Sequence, residues 1–336
     1  MITDVKIIGE LGNGMYANVY LCKSDEDQQQ YALKVEKISS KNKKYDLTVQ
    51  EWREIEFSQG FANNFPNHFV TLCDYDVKKE EDDDEGKGKQ YLLNKKKYSR
   101  STKQKFNKKN KSKYCIRRLY TLVDDTLKNV IDNLSCRQVY TTIVQVTYIC
   151  FLMQIHEYTH NDLHLKNIGV IKTTAEYVNI LDKKVKSYGI HIKALDFGIA
   201  FHKKYNLTSD ELNAHKYGLV NDINRFVIRL VKFNSNDQIK KIISWNDEQK
   251  LFEEFLDSAN YNLVKKYGIN SYDRFYLFQI LYPEKFQRMY LGKKYKQTYQ
   301  PIPRCELEDI LFIFKYKLDL KKIIKYFLKK CNDDEK

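Results

Sequence analysis

Between Tyr158 and Val170 the chain reads YTHNDLHLKNIGV, which sets His160, Asp162, His164, Lys166 and Asn167 almost side by side. A carboxylate can accept a proton from a hydroxyl, carboxylate and amide oxygens suit a hard cation, and an ammonium can clamp an anion. The segment follows the uncharged run Gln138 to Ile155 and precedes an apolar one, a change of texture that a polar loop needs in order to be held in place. By itself such a cluster also fits a solvated loop, so its meaning depends on what else the chain carries.

Three further stretches bear on it. In LGNGMYANV, residues 11 to 19, Gly12 and Gly14 permit a tight turn whose backbone N–H groups can approach a phosphate without interference from Cβ. Alone, a Gly-rich hairpin turn is as common as a nucleotide loop. In YALKV, Lys34 sits inside an apolar strand, where an ammonium must either snorkel or find an anion. Glu54, in REIEF on the following helix, is a candidate partner, and an exposed-face lysine on an edge strand is the competing reading. The last stretch is ALDFGIA, residues 194 to 200, which carries Asp196.

The elements that must position these residues fall into two textures. VKIIGELGNG, ANVYLCKS and QQYALKVEKI alternate apolar and polar residues as strands do. LTVQEWREIEFSQGF places Val49, Trp52, Ile55 and Phe57 near helical spacing and is closed by Gly60. HFVTLCDYDV and YCIRRLYTLVDD read as strands on either side of a charged insertion, leaving a small, mostly antiparallel sheet with one helix. From about Thr126 the pattern is mainly helical, with TLKNVIDNL and RQVYTTIVQVTYICFLMQIHEY, then short strands in YVNILD and GIHIKALDFG, then helices to the end. The expected fold class is α+β, in two parts, 1–123 and 124–336.

The chain of 336 residues is long enough for one large domain or two lobes, and 42% hydrophobic content with 14% aromatics excludes a wholly disordered chain. Its formal charge of +14 invites a nucleic-acid reading, but residues 78–113 hold fourteen Lys/Arg against six Asp/Glu, over half of that excess. The acidic block, Gly pair and basic low complexity of this segment predict an unfolded insertion. Its aromatics, Tyr91, Tyr98 and Phe106, are too sparse for a base-stacking platform, so contact with nucleic acid or acidic proteins through residues 87–113 is expected to be weak. Seven cysteines, Cys22, Cys73, Cys115, Cys136, Cys150, Cys305 and Cys331, form no C-x-x-C pair and indicate a reducing compartment. The N-terminus lacks the features of a secretory signal, and Gln138 to Ile155 carries Gln and Thr throughout, as a buried helix does and a membrane span does not.

Taken in order, the Gly-rich loop, strand lysine, helix glutamate, H-x-D-L-x-x-x-N and D-F-G resemble the eukaryotic-type protein kinase set, over roughly residues 5 to 230. The resemblance implies a two-lobed protein-kinase-like fold, with a small antiparallel-sheet lobe and a larger, mainly helical lobe. It implies Mg²⁺ and ATP as cofactors and protein substrates as partners. Leu11, Gly12, Asn13, Gly14, Ala17 and Val19 would cover the triphosphate, and Lys34, steered by Glu54, would hold its α- and β-phosphates. Asp162 would accept the proton of the attacking hydroxyl, Asn167 and Asp196 would present oxygens to Mg²⁺, and Asp222 would brace the loop from behind. Thr121 to Asp125 would contact adenine, and His160 would be a packed structural histidine.

The pattern departs from the family in four places. Ala17 stands where a third glycine is usual. Asn161 replaces the arginine that receives an activation-loop phosphate in many protein kinases, so no such switch is expected. His164 takes the place of a lysine, a role that Lys166 would have to assume. No A-P-E lies between Asp196 and Asp222. YALKVEKI is similar to the casein-kinase and vaccinia-related branch, and HNDLHLKNI with a short following segment resembles kinases of large cytoplasmic DNA viruses, including the poxvirus serine/threonine kinases, which implies a cytoplasmic or virion location. The D-L-H-x-x-N form is also similar to aminoglycoside-type small-molecule phosphotransferases, which remain the alternative. A catalytically dead scaffold is a third reading, opposed by the joint presence of Lys34, Asp162, Asn167 and Asp196.

Overall fold

The computed structural model describes residues 2–13, 17–39, 42, 44–79, 114–202, 204–205, 222–223, 226, 309, 312–313, 316 and 319–332. Gly14, nearly all of the expected insertion at 78–113 and most of the expected helical C-terminal region lie outside the described residues. The fold mixes antiparallel sheet with a few helices. The chain divides into two compact units, one made of Met1–Asp124 with Leu195–Ser209 and the other of Asp125–Ala194 with Asp210–Lys336.

The first unit is built on a five-stranded antiparallel sheet of β1 (Val5–Asn13), β2 (Ala17–Ser24), β3 (Gln30–Ile38), β4 (Leu72–Lys79) and β5 (Tyr114–Thr121), in the order β1-β2-β3-β5-β4. Alternation along the strands gives the sheet two working faces. On one, Cys22, Tyr31, Leu33 and Leu119 close an apolar cluster with Ile2 of the N-terminal turn. On the other, Lys34 of β3 and Arg118 and Tyr120 of β5 meet α1 (Gln50–Gly60), and Glu36 of β3 pairs with Arg118. β4 and β5 are joined in sequence through residues 80–113, yet Lys79 pairs directly with Tyr114. The ladder is therefore closed where that segment leaves it.

α1 starts at Gln50, three residues later than the sequence pattern suggests. Leu47–Val49 turn instead, with Asp46 accepting hydrogen bonds from the backbone N–H and hydroxyl of Thr48. This local side-chain bond offers the backbone an alternative to helix. Trp52, Ile55 and Phe57 are buried, and the completely buried Ile55 and Phe57 are each worth about 1.5–3 kcal/mol of apolar transfer. So are Glu51, Arg53, Glu54 and Ser58, which means that α1 buries polar groups around much of its girth. Phe57 heads an aromatic group with Phe61, Phe69 and Phe197, the Phe57 and Phe197 ring centroids lying 4.5 Å apart.

In the second unit, α2 (Cys136–Ile155) is N-capped by Ser135, whose side chain and that of Gln138 satisfy each other's backbone N–H groups in a capping box. By length and composition α2 would cross a membrane, but 72% of its apolar window is buried inside the fold. Its polar side chains find partners there. The Thr142 and Thr147 hydroxyls donate one turn back, and Gln145 bridges the backbone of Ile190 and Ile192. α2 packs against α3 (Leu320–Asn332), where the buried carboxylate of Asp309 accepts from the hydroxyls of Tyr140 and Tyr326.

The sequence pattern continues α2 to Tyr158, but the helix ends at Ile155. Glu157 takes a left-handed φ of 60°, and Tyr158–Thr159 form the short strand β7. β6 (Asp125–Thr126), β8 (Ile168–Lys172) and β11 (Ile190–Ala194) make a three-stranded sheet in the order β11-β8-β6, and β9 (Tyr177–Ile180) with β10 (Lys183–Lys186) forms a hairpin. TLKNVIDNL holds a single α-helical turn, Leu127–Val130, followed by a 3₁₀ turn at Ile131–Asn133.

Candidate active site

The Gly-rich segment ends β1 and begins β2. Gly12 pairs with Val19 and Asn13 with Asn18, after irregular register between Glu10 and Gly12. A Cβ added at Gly12 would meet nothing within 4 Å, so the backbone there presents an open face. Leu11 is half exposed, while Ala17 and Val19 are partly buried on β2. An unobstructed backbone at this point suits close approach of a phosphate.

Lys34, Glu54 and Asp196 are brought together within the first unit. The Lys34 ammonium donates to Glu54 Oε1 at 2.8 Å and Oε2 at 2.9 Å, and to Asp196 Oδ1 at 2.7 Å. Burial alone would lower the Lys34 pKa, but the Asp196 and Glu54 carboxylates outweigh it and raise the value, so the ammonium stays charged. Lys34 is 13% exposed while Asp196 is 51% exposed, which leaves the carboxylate accessible to a ligand. Asp196 has a left-handed φ of 57°, and its neighbour Phe197 is packed into the aromatic group behind α1. A Cβ at Gly198 would lie 3.4 Å from Asp196 Oδ1 and 3.6 Å from Glu54 Oε2, ordinary contact distances that place this position beside both carboxylates.

Glu54 has more partners than the motif pattern suggests. Arg118 Nη1 donates to its Oε2 at 2.5 Å and the Tyr120 hydroxyl to its Oε1 at 3.1 Å, while Arg118 Nη2 donates to Glu36 Oε2 at 2.7 Å. Burial and then the Glu54 charge push the Tyr120 phenol up, so it serves as a neutral donor. Sequence reasoning missed Glu36, Arg118 and Tyr120. The available signal was a charged residue at the inward phase of an apolar strand, between Ile116 and Tyr120.

The second unit holds the loop. His160 is fully buried, and its backbone N–H donates to Asp222 Oδ2 at 2.7 Å while that of Asn161 donates to Asp222 Oδ1 at 2.8 Å. Asn161 has a left-handed φ of 62°, a conformation that asparagine tolerates better than most side chains. A 3₁₀ turn at Leu165–Asn167 then folds Asn167 back, so that its amide nitrogen donates to the Asp162 carbonyl at 3.0 Å and to Asp162 Oδ2 at 3.3 Å. Both of these bonds use the amide nitrogen of Asn167 and not its oxygen, and Asp162 is 40% exposed. His164 Nδ1 accepts from the Lys166 backbone N–H, which in a neutral ring puts the proton on Nε2, 3.5 Å from Asp162 Oδ2.

Among the described residues no three His, Cys, Asp or Glu side chains converge as a metal site. Within the first unit Asp196 and within the second Asn167 and Asp162 each carry hard oxygen donors. No family model and no curated protein matches the chain, and the residues themselves carry the functional reading.

Proposed function

We propose that the chain is a two-lobed serine/threonine protein kinase that transfers the γ-phosphate of Mg·ATP to protein hydroxyls. The observation that carries this reading is the Lys34 ammonium joined to Glu54, 20 residues away, and to Asp196, 162 residues away. The ammonium is held in place by one buried and one exposed carboxylate, and it can turn a donor to an incoming anion by releasing the exposed one, Asp196. Bound Mg²⁺ would neutralise charge on the transferring phosphoryl group. The chain's own part is positioning. Lys34 clamps phosphate oxygens, the open backbone at Gly12 lets phosphate approach, and Asp162 orients the substrate hydroxyl and accepts its proton. Asn167 holds the Asp162 carboxylate by its amide nitrogen, and Asp222 fixes the loop through two backbone N–H groups.

A second reading, an aminoglycoside-type small-molecule phosphotransferase, is favoured by His164 beside Asp162, where protein kinases usually carry a lysine. Transfer of labelled γ-phosphate by the wild type and Asp162→Asn to acidic and basic proteins separates the two. Label on Ser or Thr that disappears in the mutant supports the kinase. Asp162-dependent ATP turnover that rises only with small hydroxylated or amino compounds supports the alternative, and no nucleotide turnover at all overturns both.

A further inference from the structure

Arg118 heads the fully buried side chains by volume, and it stands directly across the β3–β5 ladder from Lys34. Two cations as cross-strand neighbours repel each other in a dry interior. The arrangement holds because two carboxylates interleave with them. Glu36, on the same face of β3 as Lys34, takes one arm of the guanidinium, and Glu54 takes the other while also receiving Lys34. A guanidinium fork spans two carboxylates at once, and a lysine ammonium at that position has no such geometry.

α1 is fastened on a second side within the same unit. Glu56 accepts from the Lys204 ammonium and the Tyr205 hydroxyl, and the Arg53 guanidinium lies 5.5 Å from the Phe201 ring centroid and 5.9 Å from that of Tyr205. Glu54 is thus tied to β5 by Arg118 and Tyr120, contacts that do not pass through Lys34 or through any ligand.

We infer that Arg118 is a positioning residue: pinned by Glu36, it anchors the Glu54 carboxylate and α1 against the sheet, and so keeps Lys34 aimed at its site before any ligand arrives. Glu36 balances Arg118, which leaves Glu54 able to serve Lys34. The kinetic consequence rests on the kinase reading, whereas the positional one does not.

The test uses the full chain without ligand and the variants Arg118→Lys, Glu36→Gln, Glu54→Gln and Arg118→Lys/Glu54→Gln. Lys34 reactivity is read by mass spectrometry after pulsed amine acylation, and α1 by amide hydrogen exchange. Arg118→Lys and Glu36→Gln are expected to label Lys34 about 5-fold faster and to speed α1 exchange about 10-fold, with β1 and β2 unchanged. In the Glu54→Gln background the Arg118→Lys effect on Lys34 should shrink to within about twofold, because both act through one carboxylate. Unchanged labelling and exchange in Arg118→Lys and in Glu36→Gln would overturn the inference, as would an Arg118→Lys effect undiminished in the Glu54→Gln background. Phosphotransfer is measured on the same proteins. If the wild type transfers no phosphate while the labelling cycle holds, the kinase reading falls and the anchor stands. If the wild type transfers phosphate and Arg118→Lys keeps kcat/KM and labelling within about twofold of it, the anchor falls and the reading stands.

Discussion

Lys34 and Asp162 are both held in place, but by different physics. The Lys34 ammonium sits in a mesh of charge whose buried members, Glu36, Glu54 and Arg118, pair with one another across two strands and a helix. In the Asp162 loop the described contacts run mainly through backbone groups. The loop is oriented by two backbone N–H groups on one carboxylate, Asp222, and by one amide, Asn167. A buried mesh is redundant for geometry and unforgiving of a lone uncompensated charge. The loop is more tolerant of charge, because Asp162 is 40% exposed.

This contrast sets the order of expected effects. On the proposed kinase reading the largest is Asp162→Asn, which should lower phosphotransfer about 10³-fold while nucleotide affinity, by calorimetry, stays within about twofold. A variant that keeps most of its activity would remove Asp162 from its assigned role. Asp222→Ala comes next. It leaves the His160 and Asn161 N–H groups without their acceptor, and should cost about 3 kcal/mol of stability by denaturant titration and about 10²-fold in kcat through misplacement of the loop. An unchanged kcat would show that the loop keeps its shape without this brace.

Replacing residues 80–113 by Asn-Gly should shift Tm by less than about 3 °C, because Lys79 and Tyr114 already pair and a two-residue turn can close the strands. A non-cooperative melt would place the insertion among the supports of the Lys34 mesh. A further effect appears at alkaline pH and compares the two units. Burial, opposed by the Arg117 guanidinium, pushes Cys22 in the first unit up to about 11, and burial pushes Cys331 in the second up to about 12. A raised folded-state value contributes stability that is complete below the unfolded pKa and is lost as pH rises through the folded one. Tm should therefore fall above about pH 9, and Cys22→Ala should fall less steeply than wild type between about pH 9 and 11, by a few degrees. Parallel Tm curves would show that other groups dominate the alkaline loss.

Much of this is legible along the chain. The hairpin of β1 and β2 follows from alternation around a glycine turn, and the helical pattern from Arg137 falls within α2, whose Ser135–Gln138 capping box the apolar pattern did not give. The candidacy of Glu54 for Lys34 needs only a strand lysine and a glutamate on the next helix. The start of α1 was not legible from apolar spacing, because Asp46 captures Thr48 and commits the preceding residues to a turn. The end of α2 was not legible either, since His156 and Glu157 carry no breaker signal and yet leave the helix.

By itself the sequence determined what is local. The five-residue spacing of Asp162 and Asn167 lets one 3₁₀ turn return an amide to a carboxylate, and strand alternation puts Lys34, Glu36, Arg118 and Tyr120 in phase on their strands. Only the tertiary structure decided which charges count as partners. Asp196 reaches Lys34 across 162 residues, and Arg118 reaches Glu54 across 64. Whether a charge stabilises or costs depends on the dielectric around it and on what stands within a few ångströms, and neither exists until the chain has folded.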